Sequence, residues 1–171
     1  MKKRIRTGFY GGSFNPIHKG HIQLAHYLIE HHWVDQLWFV VSPENPLKAD
    51  ADANTAGDRL KQVQTAVEHL PNCTVSMLEL ELPTPSYTAA SLRAAVERYP
   101  EREFVLIIGG DNLDVFTKWK DFDWILEHFD VVVYPRPGAS NKVPENWNRV
   151  TLLTEAPQMD ISSSQIRAGR S

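Results

Sequence analysis

A single cysteine, Cys73, stands in a chain of 171 residues, so no internal disulfide can form and no cysteine-based zinc site is available. That scarcity suits a reducing compartment, and the expectation is a cytoplasmic protein. Neither sign of charge is in strong excess. Lys and Arg number 18 against 21 Asp and Glu, a net charge of −3, which argues against a wholly basic surface for long nucleic acid but leaves room for a local basic site. No apolar run approaches the roughly 20 residues of a membrane span, so no membrane partner is expected. The first residues, MKKRIRTGFYGG, hold too short an apolar run for a signal peptide. Internal repeats, low-complexity tracts and a dividing linker are all missing, so residues 1–171 read as one domain with room for a core.

Several catalytic signatures are missing as well. The glycine pair at Gly11-Gly12 is not followed by Gly-Lys-Ser/Thr, so it is no Walker A loop, and it lacks the G-x-G-x-x-G spacing of a dinucleotide fingerprint. There is no H-E-x-x-H zinc motif and no G-x-S-x-G elbow, which disfavours a metalloprotease or a serine hydrolase.

What is present alternates between apolar runs and amphipathic segments. RIRTGFY (4–10), LWFVV (37–41), TVSML (74–78), FVLII (104–108), DVVVY (130–134) and VTLL (150–153) read as strands. Residues 18–32 and 58–70, and a segment capped by Ser86 or Thr88, read as helices. ISSSQIR (161–167) reads as a helix start. Continuous apolar strands between amphipathic helices imply an α/β fold with a parallel sheet and helices on both faces. In such sheets ligands bind beyond the carboxyl ends of the strands, where the strand order switches. Gly11-Gly12, the long polar loop Ser42–Gly57, Gly109-Gly110-Asp111 and Pro135–Gly138 all follow strands, so they should gather at that edge.

Three segments carry chemistry. Gly11-Gly12 lets the backbone turn and a phosphate or ribose approach, although on glycines alone a plain tight turn explains it as well. His18 and His21 share one face of the helix that follows. Its N-terminus offers unbonded N–H groups and a positive dipole end to an anion. The same pair also reads as two solvated histidines among seven, and a metal reading would need a third ligand that no motif supplies. In ISSSQIR, Ser162, Ser163 and Ser164 can cap a helix and bond phosphate oxygens, with Arg167 one turn on. Taken alone it reads first as a serine-capped helix with a surface arginine.

Together GFYGGSFNPIHKGH, IIGGDNLDVFTKW and ISSSQIR resemble the nucleotidylyltransferase superfamily of H-x-G-H type, and within it the nicotinate-mononucleotide adenylyltransferases. The resemblance runs in order along nearly the whole chain. SYT at 86–88 and the tryptophan of TKW point to the nicotinate branch. It implies a Rossmann-like parallel sheet and a transfer of AMP from ATP to nicotinate mononucleotide, with Mg²⁺ arriving on the ATP. It also implies roles. Gly11, Gly12, Phe14 and Gly109 would line the nucleotide cleft. His18 and His21 would contact the ATP phosphates, and Ser162, Ser163 and Arg167 would hold the triphosphate, His18, His21 and Arg167 being the catalytic set. Asp111 would bond a ribose. Thr88 and Lys120 would offer N–H groups to the nicotinate carboxylate, Trp119 would stack on the pyridine, and Lys48 and Arg136 would meet the acceptor phosphate. No resident metal is implied.

The chain departs from the family pattern at two places. Asn15-Pro16 stands where members often have Asp-Pro, and Leu47 stands in the N-P-L-K loop where a histidine is frequent. Three rival readings follow: nicotinamide mononucleotide as acceptor, pantetheine phosphate as acceptor, or a nucleotide-binding regulatory domain without turnover. Whether copies of the chain assemble is open from sequence.

Overall fold

A computed structural model describes residues 4–12, 14, 17, 19–42, 56–81 and 87–154. Six parallel strands form one sheet: β1 (Ile5–Gly12), β2 (Gln36–Val41), β3 (Cys73–Ser76), β4 (Arg102–Gly109), β5 (Asp130–Tyr134) and β6 (Val150–Leu152). Their order across the sheet is β3-β2-β1-β4-β5-β6. The chain therefore winds outward from β1 in one direction, returns, and winds outward from β4 in the other. The switch falls between β1 and β4.

β2, β4 and β5 are buried on both faces along most of their length, which is why they read as apolar runs, whereas the edge strands β3 and β6 are only partly buried. On one face Tyr10, Leu37, Phe39, Val105, Ile107 and Val132 pack against Leu24, Ala25 and Leu28 of α1 (Lys19–Glu30) and Val63 and Val67 of α2 (Ala56–Val67). On the other, Phe9, Trp38, Val40, Leu106, Ile108 and Val133 meet Leu92 and Ala95 of α3 (Thr88–Arg98), Leu113 of α4 (Gly110–Asp114) and Ile125 of α5 (Phe122–His128). Successive strand residues alternate between the two clusters, as a period of two requires.

Some boundaries differ from the sequence expectation. The first helix stops at Glu30 rather than at residue 32, because His32 takes a left-handed backbone (φ 61°) and Trp33 N–H turns back to the Leu28 carbonyl at 2.9 Å. The helix expected at 58–70 runs Ala56–Val67, and Leu70 N–H closes a turn on Val67 at 2.9 Å. The strand expected at 74–78 is Cys73–Ser76, and Leu78–Glu81 instead forms a 3-10 turn. Neither Ser86 nor Thr88 is the cap of α3: the cap position is Tyr87, which makes no side-chain capping bond, and Thr88 is the first helical residue. Ser86 and the helix start expected at 161–167 lie outside the described residues.

Because every strand is parallel, each helix that follows a strand starts at the carboxyl edge and runs back. The sheet thus collects the starts of α1, α3 and α4 at the edge where β1 and β4 end in glycine.

Candidate active site

The register of β1 on β4, with Tyr10 opposite Ile107, sets Gly11-Gly12 beside Gly109-Gly110 at the switch point. The two pairs are glycine for different reasons. A Cβ on Gly109 would lie 2.6 Å from Asp111 Oδ1 and 3.0 Å from both Arg136 Cγ and Tyr134 Cε2, so three side chains converge over it. A Cβ on Gly110 would collide with the Asn141 carboxamide. Gly11 is the opposite case. It is exposed, a Cβ there would meet nothing nearer among the described residues than Phe9 Cε1 at 3.7 Å, and its φ is not left-handed. The described residues leave room for a side chain at Gly11.

Beneath the glycines lies an aromatic floor. Tyr10, Phe14, Phe39 and Tyr134 pack edge to face or tilted, with Tyr10 5.4 Å from Phe14 and 5.9 Å from Tyr134 between ring centres. Phe14 adopts a left-handed backbone (φ 48°) that lays its ring against Gly12. It is buried, so its part in the cleft is that of a floor under Gly12. His21, in the first turn of α1, is half-buried, with its ring 5.1 Å from Phe14 and 6.2 Å from Tyr10.

Burial pushes the Tyr10 hydroxyl well above its ordinary pKa, and the Tyr134 phenol beside it and the Asp111 carboxylate push the same way, against Arg136. Burial likewise raises Tyr134. Both phenols stay neutral at any working pH and cannot act as bases. Their hydroxyls are near enough to affect one another's ionisation, yet Tyr10 Oη makes no hydrogen bond of ordinary geometry.

Arg136 is held by its own loop. Asn141 accepts from Arg136 N–H at 3.0 Å and donates to the Arg136 carbonyl at 3.1 Å, from a left-handed backbone (φ 52°). Ser140 donates through both N–H and hydroxyl to Asp114 at the end of α4, which lowers the Asp114 pKa. The loop after β5 is thereby fastened to the helix after β4, and Arg136 is placed beside Asp111.

A second corner forms where α3 begins. Lys120 Nζ lies 4.9 Å from the centre of the Tyr87 ring. Arg93 of α3 binds Asp121 at 3.1 Å, and its guanidinium lies 4.1 Å from the Trp124 ring centre. Asp121 caps α5 in a left-handed backbone (φ 58°) while its carboxylate is given to Arg93. These contacts bring the start of α3 and the 119–121 turn together, so Thr88, Trp119 and Lys120 share one corner. Trp119 is partly buried, its ring 4.8 Å from Phe116 in the core.

Of the residues expected from sequence, Gly11, Gly12, Phe14, His21, Gly109, Asp111 and Arg136 meet at the switch point, and Thr88, Trp119 and Lys120 meet at the α3 corner. His18, Lys48, Ser162, Ser163 and Arg167 lie outside the described residues. The sequence reading missed Tyr10 and Tyr134, whose only signal was their place just before strand-ending turns, and Asn141, which carries no local signal. Among the described residues no cluster of three or more His, Cys, Asp or Glu could hold a metal, and no helix is long and apolar enough to cross a membrane.

A glycine-lined switch point in this strand order defines an α/β nucleotide-binding protein. The cytidylyltransferase-like family pattern matches residues 9–169. A protein of Bacteroides fragilis (strain YCH46), "Probable nicotinate-nucleotide adenylyltransferase", is 44% identical over 167 residues, covering 96% of this chain and 81% of that one. A protein of the same name from Cytophaga hutchinsonii is 42% identical over 163 residues, 95% of this chain and 84% of that one. The solved structure of Plasmodium falciparum nicotinic acid mononucleotide adenylyltransferase complexed with NaAD superposes with a TM-score of 0.77 at 18% identity, covering 96% of this chain and 83% of that chain, and so shares the fold. The chain belongs to the cytidylyltransferase-like proteins and, within them, to the nicotinate-nucleotide adenylyltransferase family of nucleotidyltransferases.

Proposed function

We propose that this chain joins the AMP moiety of ATP to nicotinate mononucleotide, giving nicotinate adenine dinucleotide and pyrophosphate, a step of NAD biosynthesis, in the cytoplasm and as one catalytic unit over residues 1–171. The observation that carries the reading is Gly11: exposed, at the switch point, and glycine where the described residues leave room for more. A ligand that must touch the backbone there explains it.

The chemistry asks little of the protein's own nucleophiles. A phosphate oxygen of the acceptor attacks the α-phosphorus of ATP, the bond from that phosphorus to the bridging oxygen breaks, and pyrophosphate leaves. The acceptor phosphate is already anionic, so positioning and charge stabilisation carry the rate. His21 and the start of α1 face that charge from one side. In this reading His18 joins them, and Ser162, Ser163 and Arg167 hold the triphosphate, while Asp111 bonds a ribose and Lys48 and Arg136 meet the acceptor phosphate. Mg²⁺ would arrive with the ATP, held mostly by phosphate oxygens and water.

The acceptor's carboxylate selects the second corner. The cap residue of α3, Tyr87, gives no side chain to the helix's first N–H groups, so among the described residues Thr88 N–H and its neighbours have no side-chain cap and suit an incoming anion. Lys120 N–H lies in the same corner and Trp119 supplies a face for the pyridine. The test is direct: mass spectrometry of products from MgATP with nicotinate mononucleotide, nicotinamide mononucleotide and pantetheine phosphate. The dinucleotide of the acid is the expected product; ATP left intact with every acceptor would overturn the proposal.

A further inference from the structure

Glu79 is buried, only 6% exposed, in the 3-10 turn after β3. Its Oε1 accepts from the Ser42 hydroxyl at 3.0 Å and its Oε2 from the Ser91 hydroxyl at 2.7 Å. Burial raises its pKa, and the bonds from Ser91 and Ser42 oppose that rise; no cation among the described residues is paired with it. A buried carboxylate held, among the described residues, by two neutral hydroxyls is costly, and an apolar side chain of similar size would fill the space more cheaply. What the carboxylate does that an apolar group cannot is join two distant segments. Ser42 is the residue at which β2 gives way to the loop at the sheet's carboxyl edge. Ser91 belongs to the first turn of α3, where its N–H bonds the Tyr87 carbonyl at 3.0 Å. The Ser91 hydroxyl has one proton and two acceptors in reach, Glu79 at 2.7 Å and the Tyr87 carbonyl at 3.3 Å. The charged acceptor is nearer and stronger, so it takes the proton.

We infer that Glu79 is a positioning residue for the acceptor: through Ser91 it fixes the first turn of α3, and through Ser42 it ties that turn to the end of β2, so that the N–H groups ahead of Ser91 stay aimed at the acceptor's carboxylate. This rests on the reading of the α3 start as the carboxylate site. Glu79 touches no substrate and acts only through these two serines. Ser42 N–H also bonds the Gly12 carbonyl at 2.9 Å, but through the backbone and not the hydroxyl, so losing Glu79 should loosen acceptor binding while the switch point, held by the β1–β2 and β1–β4 ladders, is undisturbed.

Wild type is assayed first with the acid and the amide mononucleotides, then Glu79→Gln and Ser91→Ala with both, each with a melting curve. The expected result is a rise in KM for the acid of about tenfold, the scale of one charge-assisted hydrogen bond, with KM for ATP unchanged and kcat changed less. The acid-to-amide ratio of kcat/KM should fall by a similar factor. Should Glu79→Gln fail to fold, Ser91→Ala is judged by the same criterion. Unchanged acceptor KM with only a lower melting temperature, or equal rises in KM for ATP and acceptor, would overturn the inference while leaving the proposed reaction standing. A wild type that does not prefer the acid would overturn the carboxylate site itself, and this inference with it.

Discussion

Lys120 Nζ lies 4.9 Å from the centre of the Tyr87 ring, joining the turn after Trp119 to the cap position of α3. An exposed cation–π pair contributes only about 0.5–1 kcal/mol, so this contact marks the corner more than it builds it. The Arg93–Asp121 bridge at 3.1 Å and the packing of Trp119 on Phe116 do the rest. In the proposed reading this corner takes the acceptor's ring and acid group, apart from the glycine edge proposed for the nucleotide phosphates.

Trp119 packs against the core and, in the proposed reading, also stacks on the acceptor. Trp119→Ala should weaken acid and amide mononucleotides alike and keep their ratio, because a stacking face cannot tell carboxylate from carboxamide. It should also lower the melting temperature, since a partly buried ring leaves Phe116 uncovered. Steady-state kinetics with both acceptors and a melting curve check this. A changed ratio would mean that Trp119 reads the acid group.

Gly11→Ala separates ligand from fold. With no atom of the described residues beyond its chain neighbours closer than 3.7 Å to the new Cβ, the melting temperature should hold. The methyl would stand where the nucleotide approaches, so kcat/KM for ATP should fall about tenfold or more, each factor of ten being 1.4 kcal/mol. Unchanged ATP kinetics would show that nothing touches the strand end.

His21 should matter in the transition state. His21→Ala should lower kcat about 10²–10³-fold, the usual loss for one donor at a developing charge, with a smaller change in KM for ATP. The half-buried ring rests on Phe14, so a melting curve must show that the floor survives. A raised KM with kcat intact would remove His21 from the chemistry.

Glu79 gives the protein a pH signature. Its pKa is raised in the folded state, chiefly by burial. The stability linked to it is therefore full below the unfolded value of about 4.3 and is lost as pH rises through the folded value. Glu79→Gln has no such dependence. The melting temperature of the variant minus that of wild type should climb from pH 4 toward pH 7; a flat difference would contradict the raised pKa.

Much of the architecture was legible because it rests on burial. LWFVV, FVLII and the VVVY that follows Asp130 are apolar throughout, as strand residues covered on both faces must be. The helices of one turn or two, α4 and α5, were not legible: Gly110–Asp114 and Phe122–His128 are too short to show a period. The end of β3 was misread because Met77 and Leu78 look alike in sequence while one is exposed and the other buried. The cap of α3 was misread because propensity favours Ser or Thr, and Tyr87 leaves the helix start without a side-chain cap. Gly11-Gly12 and Gly109-Gly110-Asp111 could be placed at the sheet's carboxyl edge because they sit at strand ends, and His21 because it lies in the first turn of the helix after β1. Glu79 could not, since it lies in an acidic stretch that looks like surface and its partners come from β2's end and α3, brought near only by the fold.

The central claim is that a nucleotide edge and a carboxylate corner act on one acceptor. It is tested most directly by kcat/KM of the wild-type chain for nicotinate mononucleotide against nicotinamide mononucleotide, with MgATP saturating and products identified by mass. A site built on N–H groups should favour the acid by well over about tenfold, since an amide turns its own donor toward them. Equal or better use of the amide would contradict the account.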